Sequence, residues 1–269
     1  MRKHGMAVSP RPPSRRARRR QSGVSLMELL IGISIGLLVV VAAIGSLVYT
    51  RTSTIAVGDS SRLQQDASNA FRTLGHHIRQ SGARRIVNPT VGDTNVAFND
   101  AYLGFGTNSN TSAPLVLQGT EGADNAPDTL QVSYDTDPVL QSMDCLGAPT
   151  LVANNISSTF SVVGNELRCL GSGSVTPFAL LQGVEDFQVL YGFRIADDSF
   201  QYRTAAAINV MVPAPWEQVE TVQVCLRLVG EMSNNPGADM TGCNGENVVN
   251  DGRIRRVFFR VFKVRNQGI

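Results

Sequence analysis

Glu28 stands at the head of an apolar run, and the amine it could pair with exists only after the chain is cut. From Leu29 to Tyr49 the sequence reads LLIGISIGLLVVVAAIGSLVY, twenty-one residues without a charged side chain. A carboxylate left in lipid at that depth costs at least about 2.5 kcal/mol on insertion scales, so a plain anchor gains nothing from one. Such a group calls for a cation at the same depth. Cleavage after Gly23 would supply it, because the new α-amino group of Val24 would lie one helical turn from Glu28. The same amine on a neighbouring subunit could meet Glu28 across a helix interface. Gly23 and Val24 therefore read as a processing site, and Glu28 as a residue of helix register and assembly.

The elements that must position these groups follow from length and charge. Twenty-one helical residues span about 31 Å, enough to cross a hydrocarbon core. Met1 to Gly23 holds eight basic residues and no acidic one, which predicts a cytoplasmic N-terminus and one crossing helix. A secretory signal peptide is an alternative, with Ala43-Ile44-Gly45 as its cleavage site. However, the apolar run exceeds the usual 7 to 15 residues or so of such signals. An uncleaved signal anchor is another. Neither accounts for Gly23 and Glu28 together. The chain carries 24 basic and 22 acidic residues, so without its first 23 it has 16 against 22, a formal net charge of −6. A nucleic-acid ligand argued from overall basicity is therefore not expected. Arg84-Arg85 and Arg253, Arg255 and Arg256 read as solvated faces or subunit contacts.

The helical pattern continues past the membrane run. Leu63, Ala67, Ala70, Phe71, Leu74 and Ile78 recur at spacings of three and four, no proline falls between Val24 and Asn88, and Ser81-Gly82 is the expected stop. The spacing predicts one helix over about Ser25 to Gln80. Gly32 and Gly36 form a small-xxx-small pair suited to close helix contact, and Gly45 thins the same run.

From Ala83 onward the punctuation is that of a β-rich domain. Thr129 to Tyr134 reads as a strand, and Phe160 to Val163 with Glu166 to Leu170 brackets Gly164-Asn165 as a hairpin. Val184 to Phe193, Val219 to Val229 and Ile254 to Val264 read as longer strands. In the second, Val222, Val224, Leu226 and Leu228 share one face, and Gln223, Cys225 and Arg227 the other. The third is apolar on both faces, which predicts a place inside a sheet. Asn88 to Ala126, rich in Gly, Asn, Thr and Ser, predicts long loops of low order.

Cys145, Cys169, Cys225 and Cys243 all lie on the exported side of the helix, where two disulfides are expected. Three pairings are open. Cys145 with Cys169 and Cys225 with Cys243 are favoured because each closes a local loop. No cysteine pair has C-x-x-C spacing, so no zinc site is expected. His76 and His77 are adjacent and cannot chelate as an i, i+4 pair; they read as cations at a helix C-terminus. Asp239, Asn244, Glu246, Asn247 and Asp251 could gather round calcium but depart from EF-hand spacing, and read as a solvated loop. Asp197-Asp198 reads as a turn. No nucleophile elbow, phosphate loop or H-E-x-x-H is present, so no catalytic residue, cofactor or metal is assigned.

Gly23-Val24-Ser25-Leu26-Met27-Glu28 resembles the processing junction of type IV prepilins, whose leader ends in glycine and whose fifth mature residue is glutamate. Leu181-Gln182-Gly183-Val184-Glu185-Asp186-Phe187-Gln188-Val189-Leu190-Tyr191-Gly192 resembles a segment of PilW-type minor pilins. So do Asp251-Gly252-Arg253-Ile254-Arg255-Arg256-Val257-Phe258 and the helical stretch from Leu63 to Arg79. The resemblance implies an α+β pilin-like fold, a long helix on an antiparallel β-sheet domain. It implies a leader at 1–23, a helix at 24–82 with its transmembrane part at 29–49, and a periplasmic domain at 83–269. The implied role is a minor pilin, cleaved and N-methylated by prepilin peptidase. It would act in pilus initiation and at the tip, in the inner membrane and then the fibre. The implied partners are that peptidase, other minor pilins and the major pilin, the inner-membrane assembly platform, and a tip adhesin. J-type minor pseudopilins of type II secretion share this architecture. They remain an alternative, as does a membrane-anchored periplasmic binding or adhesion protein.

Overall fold

The computed structural model describes residues 23–84, 86–87, 97–98, 115–135, 143–148, 156–195, 198–233 and 238–265. Residues 1–22 and most of the Asn88–Ala126 region lie outside these, as do Arg85 and Asp197. The chain divides into two compact units, residues 1–52 and 53–269, and α1 (Leu26–Gln80) contributes to both.

Within the second unit α1 buries one stripe. Leu63, Ala67, Ala70, Phe71, Leu74 and Ile78 are all removed from solvent, as their three-and-four spacing requires. The helix stops where expected. Ser81 donates its backbone N–H to the carbonyls of His77 and Ile78, and Gly82 turns the chain at φ 74°. Gly82 then donates to Ser133 O at 2.8 Å, and the Ser81 hydroxyl to Val116 O at 2.7 Å. The helix end is thus fixed to a strand edge.

Two antiparallel sheets receive the stripe. The first contains β3 (Leu117–Thr120), β4 (Thr129–Tyr134), β5 (Ile156–Val163), β6 (Glu166–Gly171) and β7 (Phe178–Gln182), in chain order. Gly164 and Asn165, at φ 59° and 65°, make the two-residue turn between β5 and β6, the left-handed pair that matches strand twist. The second sheet holds β8 (Val184–Arg194), β9 (Phe200–Arg203), β10 (Val219–Val229) and β13 (Arg255–Lys263) in the order β13-β10-β8-β9. The short pairs β1 (Ile86–Val87) with β2 (Ala97–Phe98), and β11 (Met240–Thr241) with β12 (Asn247–Val248), stand apart. A short helix, α2 (Ala205–Asn209), is capped by the Thr204 hydroxyl, which accepts from Ala207 N. Asn209 in turn accepts from Trp216 Nε1 at 2.9 Å, and Trp216 meets the buried ring of Tyr191 edge to face.

Two expectations change. β13 is not interior; it forms the edge of its sheet, with Phe259 and Val261 exposed. Its apolar residues fall on both faces because one face meets α1, Phe262 packing 6.2 Å from Phe71, while the other faces outward. The Gly- and Asn-rich region likewise holds strands, β2 and β3. Gly119 fits inside β3 because Tyr191 Oη fills the place a Cβ would occupy.

Candidate functional site

The amino-terminal group is local. Ser25 caps α1: its Oγ accepts from Met27 N at 3.3 Å, and its carbonyl accepts from Leu29 N at 3.1 Å. Gly23 and Val24 therefore precede the helix. Glu28 occupies the first turn, where the helix dipole favours a carboxylate. Every residue from Gly23 to Ile55 is exposed, and α1 is long and apolar enough to cross a membrane. A Cβ added at Gly32, Gly36 or Gly45 would meet nothing within 4 Å. Among the described residues, no packing within this chain requires those glycines.

A second group lies in the globular unit and was not legible as a site beforehand. Arg255 donates through Nε and Nη2 to both oxygens of Glu185, at 2.7 and 2.9 Å. Through Nη1 and Nη2 it also grips both oxygens of Asp251, at 2.6 and 2.8 Å. Arg227 lies 3.4 Å from Glu185 and 3.7 Å from Asp186, and pairs closely with Glu246. The Arg255 contact holds the Asp251 carboxyl well below the usual carboxylate range and raises the guanidinium in turn. Burial pushes Asp186 up, against the Gln188 amide that donates to it at 2.9 Å. This pairing joins the Gly-Val-Glu-Asp stretch to the arginine-rich ending, so Arg253 and Arg255 are not free surface charges. Arg253 donates to Gly230 O at 2.8 Å; Arg256 remains exposed. The only sequence signal was the concentration of opposite charges in two segments.

The remaining candidates separate. Cys145 is bonded to Cys169 and Cys225 to Cys243, the first within the five-stranded sheet and its flanking loop, the second tying β10 to the β11–β12 turn. His77 is not a helix-terminal cation. Buried against Phe160 and stacked on Tyr134, whose hydroxyl lies 3.2 Å from Nδ1, it has its pKa lowered to about 4 by desolvation, with exposed His76 adding to the effect. Among the acidic loop residues, Asp239 accepts from Asn250 N, Glu246 meets Arg227, and Asp251 meets Arg255. No group of three or more His, Cys, Asp or Glu among the described residues is placed to hold a metal ion. Asp198, at φ 63°, turns the β8–β9 connection, its N–H bonded to Ile195 O.

Residues 18–44 match the family described as Prokaryotic N-terminal methylation motif, and residues 141–266 match PilW, Type IV Pilus-assembly protein W. No curated protein matches the chain. Among solved structures it is similar to the type IV-like pilin TTHA1219 from Thermus thermophilus, at 14% identity and TM-score 0.45, over 77% of this chain and 97% of that one. It is also similar to a chain of the GspK-GspI-GspJ complex from the enterotoxigenic Escherichia coli Type 2 Secretion System, at 13% identity and TM-score 0.32, over 74% and 96%. The W-type match contains both halves of the Glu185–Arg255 pairing and the methylation match contains Gly23, Val24 and Glu28, and together the two matches support a type IV pilus minor pilin of the PilW type.

Proposed function

We propose that this chain is a minor pilin that leaves the inner membrane to enter a type IV pilus or the complex that initiates one. Prepilin peptidase removes residues 1–23 and methylates Val24, so the chemistry at that junction belongs to the peptidase and the chain's own role is structural. The leader stays cytoplasmic, the Leu29–Tyr49 run crosses the membrane, and the β-sheet domain lies in the periplasm. On extraction the same run packs against other pilin helices, Gly32 and Gly36 allowing close approach. Glu28 pairs with an N-terminal amine and sets register. One observation carries this reading: a processing junction stands directly before a charge-free helical run that is exposed along its whole length.

The test is the mature N-terminus, read by mass spectrometry in cells with and without the peptidase. Methylated Val24 that disappears without the peptidase is the expected result. An N-terminus at Ser46, or an intact leader in both strains, would overturn it.

A further inference from the structure

Asp59 lies on the buried stripe of α1, one turn before Leu63, and is 8% exposed. Its Oδ2 is buried with no hydrogen-bond partner. It lines a cavity of about 320 Å³ with Arg62, Asp66, Glu166, Glu231 and Arg253. The other carboxylates there are answered. Arg62 donates to Glu231 at 2.7 Å and lies 3.6 Å from Asp66, and Arg168 meets Glu166 at 2.7 Å. Arg253 directs its Nε to Gly230 O at 2.8 Å. Four carboxylates against the two lining guanidiniums leave this cavity a formal charge of −2. Gly230 leaves room for the carboxylate, because a Cβ there would collide with Oδ2.

A buried carboxylate oxygen without a hydrogen bond is costly to the isolated fold, and beyond the charge of Arg62 nearby a second cation relieves it. With no group of three ligating side chains among the described residues, a metal is poorly served, whereas one alkylammonium or guanidinium needs a single carboxylate and fits the volume. We infer that the Asp59 cavity is a receptor for a lysine or arginine side chain presented by a neighbouring pilin-like subunit. The inference rests on the assembly reading above and deepens it, adding to the Glu28 contact a second one of stated charge. In the monomer Oδ2 is left without a hydrogen bond; in the assembly it becomes one half of an ion pair.

The test uses the full-length chain in cells, with a photo-crosslinking amino acid at Asn165 on the cavity rim. The expected product joins the rim to a pilin-like peptide holding a lysine or arginine. Asp59→Asn should lower its yield at least tenfold. Asp59→Lys should do the same, and should recover when the partner's basic residue is made aspartate. Asp59→Asn should leave Val24 methylated and the purified chain's Tm unchanged or up by about 3 °C. A crosslink indifferent to Asp59→Asn, or one without a basic residue, overturns the receptor. So does a Tm rise on adding calcium that Asp59→Asn abolishes, which would make the cavity a metal site. Loss of Val24 methylation in the unsubstituted chain would instead overturn the assembly reading, leaving the receptor to be judged by its charge swap.

Discussion

The two halves of α1 are helical for the same local reasons and differ in what completes them. Between Leu26 and Thr52 every side chain is exposed, although the run from Leu29 to Tyr49 carries no charge. From Leu63 to Ile78 a polar helix presents six apolar side chains at spacings of three and four, and all six are buried. The polar half is satisfied by its own chain; on the proposed assembly reading the apolar half is left to lipid or to other helices. Hydrophobicity alone therefore does not show which part of this helix forms the protein's core. The placement of carboxylates follows the same division. Glu28 is exposed and Asp59 buried, so one is available to an outside partner at once and the other only through its cavity.

The largest effect that would break this contrast is at Glu28. Glu28→Ala is expected to insert and to be processed at Gly23 like the native chain, yet to be absent from sheared pili or the initiating complex. Quantitative immunoblotting of membrane and fibre fractions measures both. Normal incorporation of the variant would mean that the exposed half packs by apolar contact alone, and the register role of Glu28 would be lost.

A matched pair of truncations sharpens the comparison. Leu74 is fully buried against the sheets, and Leu38 is 72% exposed. Leu74→Ala should cost about 2–5 kcal/mol of domain stability through lost burial and the cavity left behind. Leu38→Ala should change it by less than about 0.5 kcal/mol, as surface substitutions do. Urea unfolding of the full chain in detergent decides it; equal losses would show that the apolar half supports the domain after all.

Much of the fold was legible where one local pattern dominated. The helical stripe, the Gly164-Asn165 hairpin and the strand Val219–Val229 each combine a single periodicity with clear turn chemistry. β13 was misread because apolar residues on both faces usually mean burial on both, whereas Phe262 meets α1 and Phe259 faces outward. β3 was missed because Gly119 weakens a strand on paper; the close approach of Tyr191 that requires it is a tertiary fact. The Glu185–Arg255 pair brings together residues 70 apart, and no spacing rule reaches that far. His77 deceived for the same reason. Helix position suggests a cation, while the rings of Tyr134 and Phe160, far off in sequence, remove the water that a cation needs.

The same contrast predicts where acid acts, since the buried titrating groups discussed here belong to the globular unit. His77 has a folded pKa of about 4 against an ordinary 6.5, so the unfolded chain binds the extra proton between those values and stability falls as pH drops through them. The size is about 3 kcal/mol at 1.36 kcal/mol per pKa unit. Asp128 runs the other way. Desolvation raises it to about 6 from 3.8, although the N–H groups of Gly122 and Val189 donate to its two oxygens. There the folded chain binds the extra proton, and stability rises as pH falls from about 6 to about 3.8. Allowing for solvent screening, that is about 2 kcal/mol. The two oppose each other between pH 4 and 6. Removing one should expose the other. His77→Gln should become more stable by about 1.5 kcal/mol as pH falls from 6 to 4, and Asp128→Asn less stable by about 2 kcal/mol over the same interval, relative to each variant's value at pH 6. Urea midpoints of both variants at half-unit steps measure the slopes. Parallel curves for the two would mean that neither burial governs the acid response, and that the helix end is wetter than its contacts with β4 and β5 imply.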